Sequence, residues 1–228
     1  MESNDFAKTL YSLGPKNGLI AVFDDFLELC LCAISFVPNE QQFLNIVAKY
    51  GKDEVRTLAD AFGLLDWQHY EAKINGVYED YLGDFFMAYN GKKTAQDKGQ
   101  FFTPANVCVM MAQMISDRSY ERIADPACGS GRTLTSHAFY SPHAATNLYW
   151  GCDFDSRCVK MTALSMFLFR MNGVVIHANS LSNRHKDVYS GWRIMPINGQ
   201  FGVYQLTQEE AAELSLGNVI KHSLENQS

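Results

Sequence analysis

The chain has 228 residues, of which 47% are apolar and 19% charged. That is enough to bury a core of ordinary size and excludes a disordered tail. Nineteen basic against 25 acidic side chains leave a net charge of −6, so no global field draws the chain onto DNA or an anionic membrane, and contact with nucleic acid needs a local patch or a partner. The first residues, MESNDFAKTLYS, lack the basic start and apolar centre of a signal peptide. The most apolar stretch, 19–37, carries Asp24, Asp25 and Glu28, which excludes it as a membrane span. Six cysteines form no C-x-x-C pair and have no histidine at zinc-finger spacing. The reading is of reduced, buried thiols in a cytoplasmic protein, with no metal site and no membrane partner.

The first ninety residues read as helices. Leu19, Val22, Phe23, Phe26, Leu27 and Cys30 fall at helical spacing, and Pro38 stops the run. Asn39 caps a second helix that Gly51 ends. Val55, Leu58, Ala59 and Phe62 form the face of a third. A fourth spans about 77–89, with Tyr78, Tyr81, Leu82, Phe85 and Phe86 on one side, and Asn90-Gly91 closes it. Residues 90–100 are polar apart from Ala95 and read as a linker bearing Lys92, Lys93 and Lys98. Thr103 as N-cap and Pro104 as first helical residue open a helix to about Ile115. Next come a strand end at 122–125, a helix at 132–140, a strand at 147–153, a helix at 156–171 stopped by Asn172-Gly173, and a strand at 174–178. That β-α-β-α-β order is the opening half of a doubly wound parallel sheet. Residues 192–197 and 201–206 read as a hairpin turned by Asn198-Gly199. Thr207 and Glu210 form a capping box, and the tail from Asn218 is polar. The domain reading is a helical region over 1–90, a linker over 91–104, a cofactor domain over 105–206, and a last helix with its tail over 207–228.

The informative string is Asp125-Pro-Ala-Cys-Gly-Ser-Gly131, between a strand and a helix. Its glycines and small residues let the backbone approach a ligand. It is neither the dinucleotide fingerprint nor a phosphate loop, since Arg132 and not lysine follows Gly131. A loop without a phosphate-binding lysine suits a ligand without a pyrophosphate, and a leading Asp suits one with a cation. S-adenosylmethionine has both a sulfonium and an ammonium group. A tight turn with no ligand is the competing reading. In Gly151-Cys-Asp153-Phe-Asp155, Asp153 stands at a strand end where ribose hydroxyls can be held, while Asp155 suits a helix cap. Gly99-Gln-Phe-Phe-Thr-Pro104 either covers a bound adenosyl or methionyl group or is a plain helix start with its hydrophobic staple.

Together these strings, in this order, resemble the modification (methyltransferase) subunits of type I restriction–modification systems and related N6-adenine DNA methyltransferases. Val77-Tyr-Glu-Asp-Tyr-Leu-Gly-Asp-Phe-Phe86 resembles the helix that precedes the aromatic motif in those subunits. The resemblance covers about 75–182. It implies a Rossmann-like S-adenosylmethionine-dependent methyltransferase sheet, preceded by an N-terminal helical region. It implies a cofactor site made of Phe101, Phe102, Thr103 and Pro104 on the methionine side, and of Asp125, Pro126, Ala127, Cys128, Gly129, Ser130 and Gly131 as the cradle. Asp153 and Phe154 would follow at the ribose end. Asn179 stands where the family has an Asp that contacts the adenine amino group; its carbonyl oxygen can still accept, though the pairing is neutral. The competing reading of Asn179 is a strand-end turn residue.

The catalytic tetrapeptide of that family, Asn/Asp-Pro-Pro-Tyr/Phe, positions the lone pair of the target amine and stacks on the flipped base. No Pro-Pro occurs here, and Asn198 follows Pro196 by two residues instead of preceding a proline. The catalytic residues are therefore unassigned. Only 47 residues follow Leu181, against roughly 100 for the remaining strands and crossovers, so the sheet is expected to be incomplete. Three readings stay open: a methyltransferase completed by a second chain, a non-catalytic regulatory or interaction partner, and an enzyme acting on something other than DNA. Lys92, Lys93 and Lys98, and a cluster of Arg184, His185, Lys186 and Arg193, are the candidate phosphate contacts, and DNA binding by the chain alone is expected to be weak.

Overall fold

The computed structural model describes residues 5–98, 101–117, 122–182 and 185–215; the side chains of 15, 90–98 and 185 lie outside that description. Five helices come first: α1 (Asp5–Asn17), α2 (Leu19–Ala33), α3 (Glu40–Val47), α4 (Lys52–Ile74) and α5 (Tyr81–Lys98). Asn39 caps α3 by accepting from Gln42 N, as its sequence suggests. Phe23 and Phe85 meet at 4.8 Å and Phe6 and Phe26 at 5.4 Å, so aromatic rings weld α1, α2 and α5. On α4 the buried face is Leu58, Ala61, Leu65 and His69, whereas Ala59 is exposed.

Two boundaries near α5 differ from the sequence reading. Residues 77–80 are not helical, because Asp80 acts as the cap: its Oδ1 accepts from Gly83 N at 2.9 Å. The Asn90-Gly91 pair does not end the helix, which runs on through Lys98. Lys, Ala and Gln favour helix, and a polar segment without proline carries no obligatory stop. Gly99 and Gln100 lie outside the described residues.

After α6 (Ala105–Ile115) come β1 (Arg122–Asp125), α7 (Arg132–Tyr140), β2 (Leu148–Asp153), α8 (Ser156–Leu168) and β3 (Asn172–Ala178). A short 3-10 turn then leads to β4 (Val188–Ile197), β5 (Gln200–Leu206) and α9 (Gln208–Glu213). Pro104, and not Thr103, is the N-cap of α6. The Thr103 carbonyl is drawn instead to the Arg132 guanidinium, 3.2 Å away. Likewise α8 ends at Leu168, short of Asn172-Gly173. Arg170 takes the left-handed position (φ 56), while Arg170 N reaches Phe167 O and Met171 N reaches Met166 O. That is a Schellman ending with arginine where glycine is usual. Gly173 is needed for another reason: a Cβ there would lie 2.2 Å from Tyr149 O on the neighbouring strand.

The sheet order is β1-β2-β3-β4-β5. The first three strands are parallel and the last two antiparallel. Asn198 and Gly199 both have positive φ (52° and 81°), as a type I′ hairpin turn requires. Among the described residues no strand pairs with the outer side of β1, and the order never reverses as it does in a complete doubly wound sheet. The fold is thus an incomplete Rossmann-like α/β sheet behind an N-terminal helical layer. One cluster joins Leu134 of α7 and Met161 of α8 to Tyr149, Val175 and Trp192, and continues into the N-terminal helices. A smaller cluster lies on the other face, where α9 covers Trp150, Val174 and Ile176. Arg157 donates from Nε and Nη2 to the two carboxylate oxygens of Asp24 and so ties α8 to α2.

Candidate functional site

Parallel pairing aligns the strand ends. Asp125 faces Gly151, and Asp153 faces His177. Asp125, Asp153 and Asn179 therefore end three adjacent strands along one rim. Between β1 and α7 the chain turns through Gly129 (φ 57) and Gly131 (φ 86), values that favour glycine. Gly129 has a second constraint: a Cβ there would lie 2.9 Å from the Phe102 ring. The two strings singled out in the sequence, the glycine loop and the aromatic segment, are thus in direct contact. Phe102 in turn stacks on Phe86 at 5.7 Å.

The loop is fixed by its own residues. Asp125 accepts from Ala127 N at 3.0 Å and from the Thr133 hydroxyl. Cys128 N donates to Cys152 O at 2.9 Å, stitching the loop to β2. Thr162 of α8 donates to Gly129 O at 3.0 Å. The Cys128 thiol is buried against Thr162, and burial pushes its pKa well up, so it is no nucleophile. Pro126 and Ala127 are exposed at the loop's tip.

Asp153 lies beside this loop. One carboxylate oxygen accepts from Gly129 N and the other from Asp155 N, each at 2.9 Å. Burial raises its pKa, and these amide bonds oppose the rise. A carboxylate offers about four acceptor sites, so this one can take a ligand hydroxyl while it steadies the loop. Asp155 caps α8 through Arg157 N at 2.9 Å, as read from sequence. Phe101 and Phe154 are about two-thirds exposed, so both rings offer surface to a ligand. Phe154 lies edge-on to Tyr189 at 6.3 Å, and its carbonyl meets His177 Nε2 at 3.1 Å.

Asn179 has a local job. Its side-chain oxygen accepts from Leu181 N at 3.1 Å in a turn at the end of β3. The acceptor that the sequence reading reserves for an adenine amino group is already shared with the backbone. Ser130 also differs from expectation. It is buried, and its hydroxyl donates to Asp80 Oδ2 at 2.6 Å, away from the exposed loop tip. Arg132 behaves likewise: its guanidinium is buried against Asp80 and Asp84 and offers no charge to a phosphate. Sequence reading passed over Asp80. The signal was present as Asp80-x-x-Gly83, a cap three residues ahead of a helical glycine, but nothing in it names the partner fifty residues away.

The basic patches fare less well. Arg193 pairs in register with Val174 near the start of β3, while Val188 pairs with Ala178 at its end. At about 3.3 Å per residue, that places Arg193 far along the strand from Lys186. It is half-buried and turned to Asn172. The expected cluster of four is therefore not one patch. Arg184 lies outside the described residues, as do the side chains of Lys92, Lys93, Lys98 and His185.

A rim of two carboxylates and exposed aromatic rings, with the loop amides of Ala127, Cys128, Gly129 and Gly131 bonded within the protein and the neighbouring arginine turned inward, suits a cationic nucleoside better than a phosphate. No helix among the described residues is long and apolar enough to cross a membrane. A family model described as N-6 DNA methylase matches residues 76–213, more than half of the chain. The match runs from just before α5 to the end of α9, and so takes in every residue of the rim. No curated protein and no solved structure matches the chain.

Proposed function

Because the chain belongs to the N-6 DNA methylase family, we propose that its glycine loop binds S-adenosylmethionine and that the chain takes part in methyl transfer to adenine N6 in DNA. The observation that carries this reading is Asp153, a strand-end carboxylate at the rim that accepts from Gly129 N of the glycine loop. Asp153 would hold the ribose, the loop of 125–131 would cradle the cofactor, and Phe101 to Pro104 would cover its methionine end. The exposed ring of Phe154 would stack on the cofactor, and Asn179 keeps one lone pair for the adenine amino group. The cofactor supplies an electrophilic methyl group on a cationic sulfur, and the carboxylates of Asp125 and Asp153 favour that charge at the rim.

The residues that orient the target amine are not found in this sequence, which holds no Pro-Pro. The reading therefore includes a second chain that supplies the Asn-Pro-Pro-aromatic element, as in a split modification enzyme of a restriction–modification system. The same absence favours one alternative, a cofactor-binding relative that regulates without catalysis. Calorimetric titration with S-adenosylmethionine and S-adenosylhomocysteine tests the shared part. Saturable 1:1 binding in the micromolar range supports it, and no heat up to millimolar ligand removes it. Methyl transfer to DNA with a candidate partner, and none without it, then separates the split enzyme from the regulator. With a net charge of −6, the chain alone is expected to bind DNA more weakly than micromolar at physiological salt.

A further inference from the structure

We propose that Asp80 and Arg132 are positioning residues, forming a buried clasp that sets the aromatic segment against the glycine loop and so fixes the shape of the cofactor site. This inference rests on the reading that the loop holds the cofactor.

Arg132 is the first residue of α7, directly after Gly131, and is 7% exposed. Its guanidinium spends all three nitrogens on different segments. Nε donates to Asp80 Oδ2 at 2.8 Å, Nη2 to Asp84 Oδ1 at 2.5 Å, and Nη1 to Thr103 O at 3.2 Å. Asp80 is 4% exposed and accepts three bonds, from Arg132, from the Ser130 hydroxyl at 2.6 Å, and from Gly83 N at 2.9 Å. One ion pair therefore joins the start of α5, the aromatic segment before α6, and the glycine loop. Behind it, Tyr78 donates its hydroxyl to Arg132 O at 3.0 Å and meets Thr135 at 2.8 Å.

A buried ion pair is poor evidence for stability, because apolar side chains of equal volume do as well. What a guanidinium adds is direction: a planar fork meets its acceptors only in one arrangement. Here the arrangement holds Thr103 and Ser130 at once, and the residues beside them, Phe102 and Gly129, are in contact across the site. Gly83 is part of the device. It is helical, yet a Cβ there would lie 2.1 Å from Asp80 Oδ2 and 2.6 Å from the Ser130 hydroxyl. A side chain at 83 would push the carboxylate off its partners without removing any charge.

The test compares wild type with Gly83→Ala, Asp80→Asn, Ser130→Ala and a remote core variant, Leu65→Val. S-adenosylhomocysteine affinity is read by calorimetry, the thermal midpoint by circular dichroism, and the Gly129 and Gly131 amides by nitrogen–proton correlation spectra. Alanine favours helix over glycine, which offsets only part of the cost of displacing a buried carboxylate, so Gly83→Ala should stay folded with a midpoint below that of Leu65→Val. It should nevertheless lose affinity at least tenfold and shift both glycine amides in the ligand-free spectrum, with the Gly202 amide unmoved. Ser130→Ala should lose less, and Leu65→Val nothing. Should Asp80→Asn fail to fold, Gly83→Ala and Ser130→Ala carry the test. Wild-type affinity and unmoved glycine amides in folded Gly83→Ala would overturn the clasp. A wild-type chain that binds no S-adenosylhomocysteine would overturn the cofactor reading, and the amide shifts would still decide whether the clasp sets the loop.

Discussion

The two faces of the sheet are covered unequally. Strands β1, β2 and β3 advance in one direction, so right-handed crossovers place α7 and α8 on the same face. The N-terminal helices form a further layer behind α8, clamped by Arg157 to Asp24 and by Lys160 to Glu28 at 2.6 Å. On the other face the described cover is the six-residue α9 with Leu214, whose carbonyl accepts from Trp150 Nε1 at 2.9 Å. A doubly wound sheet has helices on both faces because its strand order reverses. Without a reversal, stability concentrates on one face, and the glycine loop, which leans on Thr162 and Phe102, belongs to that face.

The largest effect expected from this difference is at Trp192, which is 4% exposed on the thickly covered face. Trp192→Ala should cost about 3–5 kcal/mol in denaturant unfolding; a loss below about 1 kcal/mol would mean that the two faces are not unequal at all. Acid should loosen the same side. His69 is wedged edge-on between Tyr81 and Phe169, each at 5.0 Å, and burial pushes its pKa down to about 4, with Asp80 opposing weakly. The unfolded chain takes up that proton near 6.5 and the folded chain only near 4. Stability is therefore complete above pH 6.5 and falls between about 6.5 and 4, by up to about 3 kcal/mol. Urea midpoints measured across that window should slope in wild type and flatten in His69→Phe.

Asp153 sharpens the contrast by acting on the rim and on neither face. Asp153→Ala should weaken S-adenosylmethionine at least tenfold, about 1.4 kcal/mol, and an unchanged dissociation constant in a folded variant would take Asp153 out of the site. The smallest effect belongs to the thin face. Thr207 caps α9, with its hydroxyl accepting from Glu210 N. Thr207→Ala should cost about 1 kcal/mol, and the Trp150 indole N–H, which donates to Leu214 O just past α9, should exchange faster.

The sequence carried the order of elements well, because each depends on local signals. The Asn198-Gly199 hairpin, the Thr207 cap and the Asp155 cap all stand where their residues place them. Misjudged boundaries came from signals with two meanings. Asn172-Gly173 looks like a helix stop, yet Gly173 is small to let Tyr149 O approach, and Arg170 makes the stop. Thr103-Pro104 looks like a cap, but its carbonyl serves a guanidinium nearly thirty residues away. At the candidate site, the turn of the glycine loop and the strand-end position of Asp153 were legible, because positive φ and close packing demand glycine and the apolar run of β2 stops at the acid. The Asp80–Arg132 pair was not, since an ion pair between distant segments leaves no periodicity in the chain.

The buried thiol of Cys128 turns the loop into a clock. It sits between the carboxylate that opens the loop and the glycine that Asp153 holds, and burial keeps it protonated at neutral pH. An alkylating reagent can reach it only when the loop lifts from Thr162, so the labelling rate counts openings and not collisions. A ligand that rests on the loop must slow that clock in proportion to its occupancy, and because five other thiols are buried as well, the clock is read on the peptide that carries Cys128.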